Sequence, residues 1–521
     1  MKFIRRAIQG GDFDRGGTAS RRLKEQLKKI GADPAAIRRA MIAAYEAEMN
    51  VVIHARKGLL RATFDTGRLN VEVVDEGPGI PDIDQAMKEG YSTAPANARE
   101  LGFGAGMGLP NIKRNSDRFS IESTAGRGTR VAFTIFLRPQ ASAGAGRNSI
   151  RVVANKCREC MACLRACPTR ALRVRGGRPK VLEHLCIDCA ACLAACESGA
   201  LTTAGTVDGL PPAQDAVLVI PPALVAQFGP GVGRERVLAA LKDLGFGEVR
   251  VADVWDNALG EAVRDYAQHD SQVHPVISPA CPAVVNLIET RYPSLIAHLA
   301  PFASPMEAAK DELAGRRAVF VVACPCQQTV LGGDLAADSA TILPKTLHSI
   351  LAPRLAREHS GRAARNERHG ASAEERGLLR VTGLRHVMAV LEKLENGLLE
   401  DVAILEPCLC DEGCFGSPLF AEDAFVARER GAAGPSKAAP RAGAVRRRAP
   451  YRARAGLRLD SDMALAIQKL AQLDKLIRSL PGRDCGQCGA PTCAALAEDV
   501  VRGRAAGVIC VHRAGGGEKP K

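Results

Sequence analysis

Apolar residues recur at helical spacing from Ala36 to Ala55, which predicts a helix. On it Glu46, Asn50 and His54 fall four residues apart and share one face. Alternation of apolar and polar residues follows in Leu69-Asn-Val-Glu-Val-Val and returns from Arg130 to Leu137, predicting two strands. Between residues 215 and 430 the pattern changes to short apolar runs: Ala216-Val-Leu-Val-Ile, Ala318-Val-Phe-Val-Val and Val402-Ala-Ile-Leu. Helical stretches separate these runs, and such alternation predicts an α/β layer. Leu465 to Leu480 reads as an amphipathic helix. The best apolar stretch, Ala216 to Phe228, is broken by Pro221 and Pro222, short of the roughly 20 residues a membrane span needs.

A chain of 521 residues, 46% hydrophobic, has material for roughly three or four domains with buried cores. Aromatic residues make up 4% of it, so stacking surfaces for nucleic acid are poor and nucleic acid is not an expected partner. The net charge is +14, and much of it lies between Ala433 and Arg458, rich in Ala, Pro and Arg. Such a segment suits either an anionic partner or a solvated linker between domains, and the linker is the preferred reading. The first residues lack the apolar core of a secretory signal. Cysteine here reads as metal ligation in a reducing compartment, so a cytoplasmic location is expected.

All 18 cysteines fall after residue 156. Cys157, Cys160, Cys163 and Cys167 form C-x2-C-x2-C-x3-C-P, and Cys186, Cys189, Cys192 and Cys196 repeat the run with Glu197 in place of proline. Three closely spaced thiolates and a fourth from elsewhere suit an iron–sulfur cubane, whereas zinc sites rarely interlock two such runs. Residues 150–205 resemble a bacterial two-cluster ferredoxin. That resemblance implies one 4Fe-4S cluster on Cys157, Cys160, Cys163 and Cys196, and another on Cys167, Cys186, Cys189 and Cys192.

The N-terminal segment carries several glycine clusters. Asp75-Glu-Gly77-Pro-Gly79 follows the first strand, Gly102-Phe-Gly104-Ala-Gly106-Met-Gly108 comes next, and Gly126-Arg-Gly128-Thr129 precedes the last strand. Glycines let a backbone approach phosphate, a carboxylate at a strand end can accept from an exocyclic amine, and a helix Asn can hold Mg2+. No G-x4-G-K-[ST] loop is present. In this order the boxes resemble the GHKL ATPase fold of histidine kinases, gyrase and Hsp90. The resemblance implies Glu46 as general base, Asn50 as Mg2+ ligand and Asp75 as adenine contact. Gly77, Gly79, Gly104, Gly106 and Gly108 would be nucleotide-loop glycines, with Thr129 near the adenine pocket. A sensor histidine kinase needs a phosphoacceptor histidine ahead of this domain, and none precedes His54. The domain is closer to the anti-sigma-factor type, which implies phosphorylation of serine on a partner protein.

Later cysteines lie in Ser278-Pro-Ala280-Cys281-Pro, Cys324-Pro-Cys326-Gln-Gln-Thr329 and Glu406-Pro-Cys408-Leu-Cys410-Asp411-Glu412-Gly413-Cys414. Their order resembles the H-cluster domain of FeFe-hydrogenases, implying Cys281, Cys326, Cys410 and Cys414 as ligands, with Cys414 bridging to a diiron subsite where one is loaded. Ala280 stands where active hydrogenases relay protons through Cys, and Thr329 where they use Lys. The resemblance is therefore closer to the sensory branch, and Cys324 and Cys408 are left unassigned. Finally, Cys485, Cys488, Cys493 and Cys510 resemble the four-cysteine iron–sulfur domain of Rnf-type electron carriers and corrinoid proteins, with a structural zinc site as the alternative.

The expected fold is multidomain α/β and α+β: a GHKL α/β sandwich (1–140), a ferredoxin-like cluster domain (150–205), an α/β hydrogenase-like domain (214–430), a basic linker (431–458) and a small C-terminal iron–sulfur domain (459–515). ATP, Mg2+ and four 4Fe-4S clusters are the implied cofactors. The expected function is a redox or hydrogen sensor acting on a kinase-type ATP site, with an electron-transfer partner, a protein substrate and, by family resemblance, a homodimer. The alternatives are a hydrogenase-like oxidoreductase and an ATP-dependent electron carrier.

Overall fold

The computed structural model describes residues 2–100, 103–140, 148–203, 209–211, 213–229, 232–332, 339–357, 377–399, 401–431, 445–454, 456–505 and 507–512. Gly102 and residues 432–444 of the basic segment lie outside the described residues.

The alternating strands of the N-terminal region build an antiparallel sheet. Its members are β1 (Lys2–Gln9), β2 (Lys57–Phe64), β3 (Arg68–Asp75), β4 (Arg118–Thr124) and β5 (Gly128–Phe136), ordered β1-β2-β3-β5-β4. Register sets Leu60 opposite Val73 and Val71 opposite Phe133, so one face is apolar across the central strands. Against that face pack α1 (Thr18–Ile30) and α2 (Pro34–His54). Pro34 opens α2 at its first helical position, and Asp33 caps it by accepting from the N–H groups of Ala35 and Ala36. A short helix, α3 (Gly108–Arg114), lies beside α2.

The ferredoxin segment is two cysteine loops between small pairings, β6 (Ile150–Val152) with β9 (Leu201–Thr203), and β7 (Leu172–Arg175) with β8 (Arg178–Val181). Next, β10 (Val217–Ile220), β11 (Glu248–Val251), β13 (Ala318–Val321) and β14 (Ala340–Ile342) form a parallel sheet ordered β11-β10-β13-β14. A second parallel sheet has the order β12-β16-β15, from β12 (Val276–Ile277), β15 (Leu378–Thr382) and β16 (Ile404–Cys408). Helices α4 (Pro282–Arg291), α5 (Pro325–Leu331) and α6 (Leu384–Glu395) follow strands of these sheets. The α/β layer expected from the apolar runs is what forms.

The C-terminal segment supplies α7 (Met463–Ser479) and α8 (Cys493–Val501). Ala466, Leu470 and Leu473 of α7 share one core with Leu23, Leu27 and Ile30 of α1, so the last helices close back onto the first domain. Residues 445–454 and 456–459 lie against the body of the protein. Arg447 pairs with Glu307 at 2.8 Å, Arg454 with Glu289 at 3.0 Å, and the Leu459 N–H donates to Lys29 O at 2.8 Å. Among the described residues no helix is long and apolar enough to cross a membrane.

Candidate functional site

The exposed face of α2 becomes the floor of a cleft of about 880 Å³. Glu46 and Asn50 lie on it, and Glu46 Oε1 accepts from Asn111 Nδ2 of α3 at 2.8 Å. α3 approaches closely because its first residue is Gly108: a Cβ there would stand 3.0 Å from Asn50 Oδ1. Asp75, at the end of β3, accepts through Oδ1 from the N–H groups of Gly77 at 2.8 Å and Thr129 at 3.2 Å. Burial pushes the Asp75 carboxyl up, and those two N–H groups oppose it. Gly77 thus acts through Asp75, while Gly79, Gly104, Gly106, Gly108 and Thr129 line the cleft itself. Gly79 has φ +72°, and a Cβ on it would meet Thr124 O at 2.2 Å, so glycine is required there. Burial lowers the pKa of His54, which the nearby Asp75 raises, so the two groups meet at the C-terminal end of α2.

The cleft has a wall no local pattern announces. His274, Leu394, Asn396, Gly397, Leu398, Leu399 and Asp401 of the α/β region line it opposite α2. They are held there by buried charge. Glu395, the last residue of α6, is 1% exposed and pairs with Lys24 and Lys28 of α1, the latter at 3.2 Å; it also accepts from Ser294 Oγ. Burial brings the Lys24 ammonium down to about 8. Arg38 of α2 donates to His298 Nε2 at 2.8 Å, which leaves the His298 Nδ1–H to donate to Pro275 O at 2.9 Å.

The thiols gather across the two ferredoxin runs. After burial, Cys160, Cys196 and Cys157 are what push the Cys163 thiol up, so Cys196 has crossed to the first run. Cys167 has crossed the other way: it lines one small cavity with Cys186, Cys189 and Cys192, and its sulfur accepts from the Ala171 N–H at 3.2 Å. Burial pushes Cys189 up to about 12. The two runs share a backbone device. Glu159 and Met161 in one, Asp188 and Ala190 in the other, all adopt φ between 54° and 62° at matching places. Left-handed conformations cost non-glycine residues roughly 1–2 kcal/mol each, a strain retained where it turns the thiols inward. Cys485, Cys488, Cys493 and Cys510 line a third cavity, in which Asp484 Oδ1 accepts from the Cys493 N–H at 2.6 Å.

In the α/β region Cys281 directly precedes α4, Cys326 lies in the first turn of α5, and Cys408 ends β16. Cys326 Sγ accepts from Asn286 Nδ2 at 3.0 Å. The thiols left unassigned in the sequence are also here. Cys408 lies close enough to Cys281 and Cys414 to perturb both thiols, and burial together with Cys281 raises Cys324 to about 12. Glu412, between Cys410 and Cys414, takes φ +55°. Thr329 Oγ1 donates to Asp188 of the ferredoxin loop, and Asn286 Nδ2 donates to Ile187 O at 3.4 Å, so this thiol group adjoins the second ferredoxin run. At the far side Val174 N–H donates to Gly489 O at 2.8 Å, and Asp499 of α8 binds Arg173 at 2.5 Å and Arg175 at 2.8 Å.

Burial favours the neutral form of these thiols, and a cationic centre would convert them to thiolate ligands. Among the described residues no three Cys, His, Asp or Glu side chains are set to hold a single metal ion. The four-cysteine sets lining the small cavities are the donor set that a 4Fe-4S cluster takes.

Family models match along the chain in the order of these sites. The histidine kinase-like ATPase domain matches residues 12–135 and the 4Fe-4S dicluster domain residues 149–197. The C-terminal domain of the large chain of iron only hydrogenase matches 214–329, and an Fe-S cluster family matches 480–512. The serine/threonine-protein kinase RsbT of Bacillus subtilis is 34% identical over 125 residues, which is 23% of this chain and 88% of RsbT. The anti-sigma F factor of Caldanaerobacter subterraneus is 34% identical over 97 residues, 18% of this chain and 64% of that protein. An FeFe-hydrogenase from Chlamydomonas reinhardtii aligns with 44% of this chain and 86% of its own, at 16% identity and a TM-score of 0.34.

Proposed function

From the premise that the chain belongs, through residues 12–135, to the histidine kinase-like ATPase family of RsbT and the anti-sigma F factors, we propose that it is an iron–sulfur redox or hydrogen sensor acting on a serine kinase-type ATP site. In this reading Asp75 selects adenine, Asn50 holds Mg2+ and Glu46 takes the acceptor proton. Cys157, Cys160, Cys163 and Cys196 hold one cluster, and Cys167, Cys186, Cys189 and Cys192 a second. Cys281, Cys326, Cys410 and Cys414 hold a third, and Cys485, Cys488, Cys493 and Cys510 a fourth. When bound, each supplies reversible one-electron storage.

The observation that carries the proposal is the course of α6. The Gly383 N–H at its start donates to the carbonyls of both Cys408 and Cys410, at 3.1 Å each. Its last residue, Glu395, is clamped to α1, and the residues that follow line the nucleotide cleft. A helix of 12 residues is a rod about 18 Å long. A shift of the Cys408–Cys410 backbone therefore reaches the cleft without being absorbed between. Ala280 has no proton to relay, and Thr329 is bound to Asp188, which favours sensing over hydrogen turnover.

Coupling requires that nucleotide affinity differ between redox states. ATP affinity and turnover should be measured on anaerobic, cluster-replete protein, poised oxidised and then reduced. A shift of severalfold, lost in Asn50→Ala, is expected. Identical behaviour in both states would sink the sensor reading.

A further inference from the structure

The cleft extends past the nucleotide boxes. Along α2 the adenine end is marked by His54 and Asp75, and Asn50 and Glu46 follow one and two turns back. The same face continues with Ile42 and Arg38, which also line the cleft. At 1.5 Å per residue Arg38 lies about 12 Å beyond Glu46, on the side away from Asp75. With adenine at Asp75 and the phosphates toward Glu46, that space is where an acceptor must stand for in-line transfer. Its far wall is not part of the ATPase domain: Leu394, Leu398 and Leu399 come from the end of α6 and the turn after it. Leu398 is 47% exposed, an apolar side chain unpartnered at the mouth of a reacting site.

We infer that the phosphoacceptor site is composite: a serine- or threonine-bearing protein segment enters between α2 and residues 396–399, sets its hydroxyl at Glu46, and seats a flanking apolar side chain between Ile42 and Leu398. The inference rests on the kinase reading of the cleft. In the transfer the acceptor oxygen bonds to the γ-phosphorus as its bond to the β–γ bridging oxygen breaks. ADP leaves, and the hydroxyl proton passes to the Glu46 carboxylate. The hydrogenase-related domain then selects the acceptor as well as regulating the site.

The test uses full-length, cluster-replete protein, γ-labelled ATP with Mg2+, and a positional-scanning library of serine-centred peptides. A fluorescent ATP analogue reports nucleotide affinity separately. The wild type should prefer Leu, Ile, Val or Met at one flanking position by about tenfold. Leu398→Asp should move that preference to Lys or Arg, and Leu398→Lys to Asp or Glu, with analogue affinity shifting less than about twofold. Transfer with the same preference in both variants overturns the composite site and leaves the kinase reading intact. Analogue binding with no transfer to any peptide overturns the kinase reading, and the composite site with it.

Discussion

Asp75 shows how one carboxylate becomes selective. Its Oδ1 is occupied by the N–H groups of Gly77 and Thr129, which hold the side chain while burial raises its pKa. In the proposed role its remaining acceptor capacity meets the adenine amine. Asp75→Asn keeps the size and loses the charge-assisted acceptor, worth about 1.5–3 kcal/mol. Calorimetric titration should show ATP binding about 10- to 100-fold weaker, with the melting temperature nearly unchanged; unaltered affinity would refute the adenine role. That Asp75, Asn50 and Glu46 belong to one cleft was legible in the sequence, because period and box order are local properties. Asn111, the partner of Glu46, was not, since an Asn after a glycine cluster carries no signal until α3 lies beside α2.

Among the secondary elements α6 is the informative one. Its apolar spacing makes a helix, but nothing in it says that Glu395 will be buried. In the fold, Lys24 and Lys28 face that carboxylate and both lie over the Tyr292 ring, 5.9 and 5.2 Å from its centroid. Removing one partner of a buried ion pair costs about 3–5 kcal/mol, whereas replacing the whole set by apolar residues is often neutral. Glu395→Ala should therefore lower the denaturant midpoint sharply. The triple change Glu395→Leu, Lys24→Met, Lys28→Met should recover most of it. Recovery by the triple variant and not by Glu395→Ala separates the cost of uncompensated lysines from simple loss of packing.

Across the domains, the ATPase and hydrogenase-related parts meet through a neutral histidine. Burial, with Arg38 nearby, holds His298 down at about 4, against an ordinary value of 6.5. A folded pKa below the unfolded one gives stability that is complete above about pH 6.5 and is lost as pH falls toward 4, by about 3 kcal/mol at most. Stability measured from pH 7 to 4 should slope downward in the wild type and flatten in His298→Gln. Equal slopes would mean that the contact does not carry this proton linkage.

Local chemistry could be read from the residues in order along the chain. Cysteine spacing marked out the thiol-bearing loops, and alternation drew two of the five strands of the first sheet, β3 and β5. These are short-range rules, set by thiol reach, strand pleat and helix turn. What stands next to what emerged only on folding. Packing brought Cys324 and Cys408 to Cys281 and Cys414, merged α7 with the core of α1, laid Arg447, Arg454 and Leu459 against two domains, and set the end of α6 over the ATP cleft. None of these follows from periodicity, because each depends on contacts between residues far apart in the chain, fixed only when separate apolar faces find one another.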